Sequence, residues 1–193
     1  MSFLNRNKLL KIGFAKIGND CQISERAVFY SPENISIGNN VRVDDFCILS
    51  AGSEIIIGDW VHVACYTSLI GKGRIELKDF SGVSMRCSIL SSNADYSGMY
   101  LTNPQIPEKY LNTLSGPVTL EKHALVGAGS VVLPGLVIGA GAVVGALSLV
   151  KRSIPDYEVW GGVPAKNIEQ GWNCGIAIRN KKMLNLENQL RNG

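Results

Sequence analysis

Only two imidazoles occur in the 193 residues, His62 and His123, and each could exchange a proton near neutral pH. His62, in "GDWVHVACY", directly precedes an apolar strand position, so alternation turns its side chain outward. There it either faces a groove or is a satisfied structural histidine. His123, in "LEKHALVGAG", reads as a corner or surface residue or as a cofactor contact. One carboxylate also stands out. Asp95 follows Ser92-Asn93-Ala94 and precedes Tyr96. It could take a proton or hold an ammonium group, or simply organise its loop through an Asx turn. The five cysteines (Cys21, Cys47, Cys65, Cys87 and Cys174) show no paired spacing, so no metal site is expected. A small buried thiol is the expected state of the four within the repeats.

Basic and acidic residues balance through residue 149, and the whole surplus of +3 lies after it. That surplus could serve a small phosphorylated ligand or belong to a solvated tail helix. No Lys/Arg-rich run suggests nucleic-acid binding. No apolar span approaches a membrane helix, and "MSFLNRNKLLKIGF" lacks the apolar stretch of a signal peptide. The expected compartment is the cytoplasm. A hydrophobic content of 46% against 18% charge argues for an ordered chain.

The element that must position these groups is a repeat. Aliphatic or aromatic residues step by six at Ile17, Ile23 and Phe29, then at Ile37, Val43 and Leu49. The steps recur at Ile57, Val63 and Leu69, and at Leu77, Val83 and Ile89. After residue 117 they return at Leu120, Val126 and Val132, and at Ile138, Val144 and Val150. Each triplet is three short strands and corners, so the spacing predicts an all-β triangular solenoid with a one-dimensional apolar core. Glycine follows the marker at Gly18, Gly38, Gly58, Gly127, Gly139 and Gly145, where a tight corner disfavours a side chain. The expected organisation is one domain over residues 1–193. An N-terminal helical cap spans 1–13, and coils span 14–90 and 118–168. An irregular excursion fills 91–117, and a helical tail spans 169–193, with Met183, Leu186 and Leu190 on one face. Caps at both ends are needed because terminal strands are otherwise open to pairing.

The repeats, the excursion and the run "GAGSVVLPGLVIGAGAVVGALSLVKRSIPDYEVWGGVPAKNI" closely resemble left-handed β-helix acyltransferases. The handedness is implied by that resemblance alone. Within the family, "ISIGNNVRVDDFCILS", "DYSG", "LTNP" and "IPEKY" look most like bacterial sugar acyltransferases of surface-polysaccharide (O-antigen, lipopolysaccharide) pathways. Similar to these are the enzymes that N-acylate dTDP-4-amino-4,6-dideoxyglucose. The resemblance implies a homotrimer with active sites between subunits and acetyl-CoA or another acyl-CoA as donor. Small residues at Ala128 and Ala146 would admit the pantetheine arm. Lys151, Arg152 and Lys166 would face the phosphates, and the turn carrying Gly162 and Pro164 resembles the adenine-end loop.

Many O-acetylating members of that family carry a histidine where this chain has Ala94. A hydroxyl needs a base to become a nucleophile, whereas an amine needs only to be neutral. Alanine there therefore favours an amine acceptor, the amine of a nucleotide-linked amino-deoxysugar. Asp95 and His62 are the candidate catalytic residues, and Asn93, Tyr96 and Tyr100 the candidate substrate contacts. Two other readings stand beside this one: a sugar O-acetyltransferase with His62 as base, and a non-catalytic hexapeptide-repeat scaffold.

Overall fold

The computed structural model describes residues 2–168, 183 and 185–190. Its strands stack into three parallel walls. The first runs through Lys16–Ile17, Ile35–Ile37, Ile55–Ile57, Ile75–Leu77, Val118–Leu120 and Val137–Ile138. On the second lie Gln22–Ile23, Arg42–Val43, His62–Val63, Gly82–Val83, Leu125–Val126, Val143–Val144 and Val159–Gly161, with Lys166–Asn167 added antiparallel. The third joins Val28–Tyr30, Ile48–Ala51, Ser68–Gly71, Ser88–Leu90, Val131–Val132 and Leu149–Val150.

Register follows the six-residue markers. Ile37 pairs with Ile57, Ile57 with Leu77, Leu77 with Leu120 and Leu120 with Ile138. Val43, Val63, Val83, Val126 and Val144 form the matching column on the second wall. Every marker from Ile37 to Val150 is at most 2% exposed, so the apolar core is one axial column built by burial of these side chains.

The expected crowding at the corner glycines holds at Gly18, Gly38, Gly58, Gly127 and Gly139, where a Cβ would run into the next coil, whereas at Gly145 it would meet only ordinary contacts. A Cβ on Gly18 would lie 2.3 Å from the Gly38 carbonyl oxygen, so that glycine permits close approach of successive coils. The left-handed conformation that turns the chain is borne largely by other residues. Asn40, Trp60, Phe80, His123 and Tyr157 hold it along one corner, and Phe46, Tyr66, Arg86 and Leu147 along another. Each such residue costs about 1–2 kcal/mol relative to a right-handed conformation. Stacking offsets part of it. Trp60 lies on Phe80 (6.3 Å), Phe80 on His123 (5.1 Å) and Phe46 on Tyr66 (5.0 Å), and such pairs contribute roughly 0.5–1.5 kcal/mol.

The N-terminal helix is shorter than the expected cap. It spans Arg6–Ile12, with Asn5 accepting from the Lys8 N–H and Gly13 left-handed at its end. Its Arg6 guanidinium donates to the carbonyls of Ile17 and Gly18, and the Leu4 N–H to that of Ile23. The open edge of the first coil is thereby closed. The excursion is more ordered than the sequence suggested. Ser92–Ala94 pairs antiparallel with Thr113–Ser115, making a two-stranded arm. Its root is held where the Gly116 N–H donates to the Ser91 carbonyl and Ser91 Oγ to the Gly73 carbonyl. Of the expected C-terminal helix, residues 183 and 185–190 are helical, and residues 169–182, with Cys174, lie outside the described residues. Cys47 and Cys87 are buried, whereas Cys21 and Cys65 are half-buried. Burial pushes the Cys47 thiol up to about 11, which makes it inert at neutral pH.

One buried polar atom is unexplained by the packing. Ser81 is 2% exposed and, among the described residues, its Oγ has no hydrogen-bond partner. The neighbouring coils carry Val61 and Ala124 at the same position of the strand ladder. Because an unpaired buried hydroxyl costs about 1–3 kcal/mol, Ser81→Ala should stabilise the fold by about 1 kcal/mol. A denaturant or thermal melt checks it; a lower midpoint would show that the hydroxyl has a partner.

Candidate active site

On the second wall, outward side chains from three coils enclose a groove of ≈ 370 Å³. It is lined by His62, Ala64, Gly82, Val83, Ser84, Met85, Leu125 and Ala128. Gly82 stands in register between His62 and Leu125, and a Cβ there would meet Leu125 Cδ1 at 3.2 Å. The missing side chain opens the notch. Below it runs a line of polar contacts. Arg42 Nε donates to Asp44 Oδ1 at 2.7 Å, and Asp44 Oδ2 lies 2.9 Å from His62 Nε2. Burial pushes the Asp44 carboxyl up, but hydrogen bonds from Arg42 and His62 outweigh it and hold the group below the ordinary aspartate range. Asp44 is therefore an anion at neutral pH although only 5% exposed.

A second groove, also ≈ 370 Å³, lies at the C-terminal end of the coils. Lys151, Arg152, Trp160, Pro164, Ala165, Lys166 and Asn167 line it. Trp160 Nε1 donates to Glu158 Oε2 at 2.6 Å, and Asn167 Nδ2 donates to the same oxygen at 3.0 Å. Three cations beside a braced indole suit an anion attached to a flat ring.

The arm carries the third set of groups. Asp95 Oδ1 accepts from the Ser97 N–H and Oδ2 from Asn112 Nδ2, both at 2.6 Å. Hydrogen bonds from Ser97, and then from Asn112, hold its carboxyl below the usual range. This is the Asx turn that the sequence allowed. Such a depressed carboxylate is a weak base but a strong hydrogen-bond acceptor. Tyr96 is 83% exposed, Met99 81%, and Tyr100 about half.

The residues singled out in the sequence thus fall into three places. Lys151, Arg152, Pro164 and Lys166 share the basic groove, and His62 and Ala128 share the notch groove. Asn93, Asp95, Tyr96 and Tyr100 sit on the arm and line neither. Nor do Ala146 and Gly162, although the Gly162 N–H donates to Ser148 Oγ beside the basic groove. His123 is a corner residue, with Nε2 3.1 Å from Glu187 Oε2. Sequence reasoning passed over Arg42, Asp44, Gly82, Ser84, Met85, Trp160 and Asn167. For Asp44 a signal existed: it precedes His62 by eighteen residues, two short of the twenty-residue coil, which sets the pair diagonally on adjacent strands.

No family model matches the chain. A dTDP-4-amino-4,6-dideoxy-D-glucose acyltransferase of Escherichia coli is 46% identical over 97% of this chain and 94% of its own length. AntD, an N-acyltransferase from Bacillus cereus solved with dTDP and 3-hydroxybutyryl-CoA, superposes with a TM-score of 0.87 at 41% identity, over 96% of this chain and 98% of that one. A serine-to-cysteine variant of AntD, solved with dTDP-4-amino-4,6-dideoxyglucose and coenzyme A, gives a TM-score of 0.86 at 41% identity over 95% and 98%. A maltose O-acetyltransferase from Clostridium difficile, 21% identical with a TM-score of 0.56 over 84% and 73%, shares the fold alone.

Proposed function

Because the chain belongs to the left-handed β-helix, hexapeptide-repeat acyltransferases, we propose that it transfers an acyl group from coenzyme A to the amine of dTDP-4-amino-4,6-dideoxyglucose. The observation that carries this reading is the full-length similarity to enzymes of that reaction, one of them solved with amino sugar and coenzyme A together. The acyl donor's phosphates fit the basic groove, where Lys151, Arg152 and Lys166 supply matching charge. Its pantetheine arm runs toward Ala128 and the notch groove.

We place the acceptor amine between His62 and Asp95. Asp95, a weak base, accepts a hydrogen bond from the amine and orients it. His62 takes the proton that nitrogen sheds as the C–N bond forms. The C–S bond then breaks, and that proton passes to sulfur as the free thiol. Arm and notch groove are complete in one site only when the arm of one copy reaches a neighbour, which supports a homotrimer. The exposed Tyr96, Met99 and Leu101 support the same assembly. The described residues contain no helix long and apolar enough to cross a membrane, and a nucleotide sugar and coenzyme A as substrates support the cytoplasm as the site of action. Surface-polysaccharide assembly is the process that such an acylated sugar serves.

One observation favours a second reading, O-acylation: His62 is paired with a carboxylate, as an activating base would be. Thiol release from acetyl-CoA separates the two. The amino sugar should react at least about 100-fold faster than the same sugar bearing a hydroxyl. Release with the hydroxyl sugar and none with the amine would overturn the assignment.

A further inference from the structure

The Arg42–Asp44–His62 line is a candidate for more than packing. Arg42 and His62 stand outward, in register on adjacent strands of one wall, and the nearly buried Asp44 is bonded to both. Phe3, from the N-terminal segment, lies over the Arg42 guanidinium at 5.6 Å. Asp44 is the only carboxylate against the imidazole among the described residues, and Arg42 the cation behind it. The rest of the groove wall, from Ala64 to Ala128, carries no titratable group.

We propose that Asp44 is a positioning residue that holds His62 in the Nε2–H tautomer, leaving Nδ1 as the proton acceptor available to the groove. An ionised carboxylate only accepts hydrogen bonds, so the ring nitrogen 2.9 Å from it must carry the proton. In a neutral imidazole the other nitrogen then has a free lone pair. No hydrogen-bond partner of Nδ1 is present among the described residues. Arg42 fixes the second oxygen of the carboxylate, which leaves Asp44 one way to face the ring. The consequence for catalysis rests on the acyl-transfer reading above; the tautomer does not.

Ring nitrogens of ¹⁵N-labelled protein report the tautomer directly in long-range ¹H–¹⁵N correlation spectra. The expected result for the wild-type chain is His62 protonated on Nε2. Protonation on Nδ1 overturns the proposal, and it does so whether or not the protein transfers acyl groups. Asp44→Asn can present its amide N–H to Nε2 and should reverse the tautomer. With acetyl-CoA and dTDP-4-amino-4,6-dideoxyglucose, that variant should lose about 100-fold in kcat with both KM values within about threefold. A reversed tautomer with wild-type kcat also overturns the role. Combining Asp44→Asn with His62→Ala should cost no more than His62→Ala alone, because the two act as one unit. Additive losses would assign Asp44 to the fold instead. An inactive wild-type enzyme with an Nε2–H ring would refute the function and keep the positioning.

Discussion

Asp95→Asn is expected to lower kcat/KM for the amino sugar by about 100-fold or more while leaving the melting temperature within about 2 °C of wild type. Asparagine keeps an oxygen for the Ser97 N–H, and Asn112 can turn its own amide oxygen toward the new amide N–H. The turn at the base of the arm survives, and the negative charge offered to the amine does not. The two roles of Asp95 are thereby separated. Unchanged kcat/KM would remove Asp95 from the reaction. A large fall in melting temperature with proportionate loss of activity would make it a loop organiser only. The pH dependence carries a definite sign. Ser97 and Asn112 depress the carboxyl, so its contribution to arm order is complete above the unfolded aspartate value and lost as pH falls through the lower, folded one. Protection factors of the arm amides should fall under acid in the wild type, and much less in Asp95→Asn.

Removing two cations from the basic groove should act on the other substrate. Arg152→Ala combined with Lys166→Ala is expected to raise KM for acetyl-CoA by about 100-fold or more, since a hydrogen bond to a charged group contributes about 1.5–3 kcal/mol. Little change in kcat should follow, because these residues line a different groove from His62 and in the proposed function hold parts of the donor that do not react. Acetyl-pantetheine lacks the nucleotide phosphates, so its KM should be the same for wild type and double variant. An equal loss with both donors would point to a disturbed last coil. The wild-type KM should also rise with salt, and that of the double variant less so.

Several features of this molecule were legible because they depend on local spacing. A side chain every six residues that must be buried dictates three walls and one axial column, whatever stands outside them. The same logic turns His62 outward, since it precedes the inward Val63. Other features depend on how coils stack. That corners carry Trp60, Phe80, Phe46 and Tyr66 in the left-handed conformation was not visible in a pattern of glycines. Those aromatic side chains find their partners one coil away, twenty residues along the chain. The arm was read as irregular because its polar sequence has no alternation to mark Ser92–Ala94 and Thr113–Ser115 as strands. Their pairing comes from the coil that anchors both ends.

By itself the sequence determined the solenoid, its buried column and the basic residues of its last coil. Each of these is a property of residue type at a position. Tertiary structure alone decided which outward groups meet. It set Asp44 against His62 diagonally across two strands, opened a notch at Gly82, and left the arm residues out of the lining of both grooves. The physical reason is that burial constrains inward residues one by one. Outward residues acquire their chemistry only from neighbours, and the register between coils chooses those.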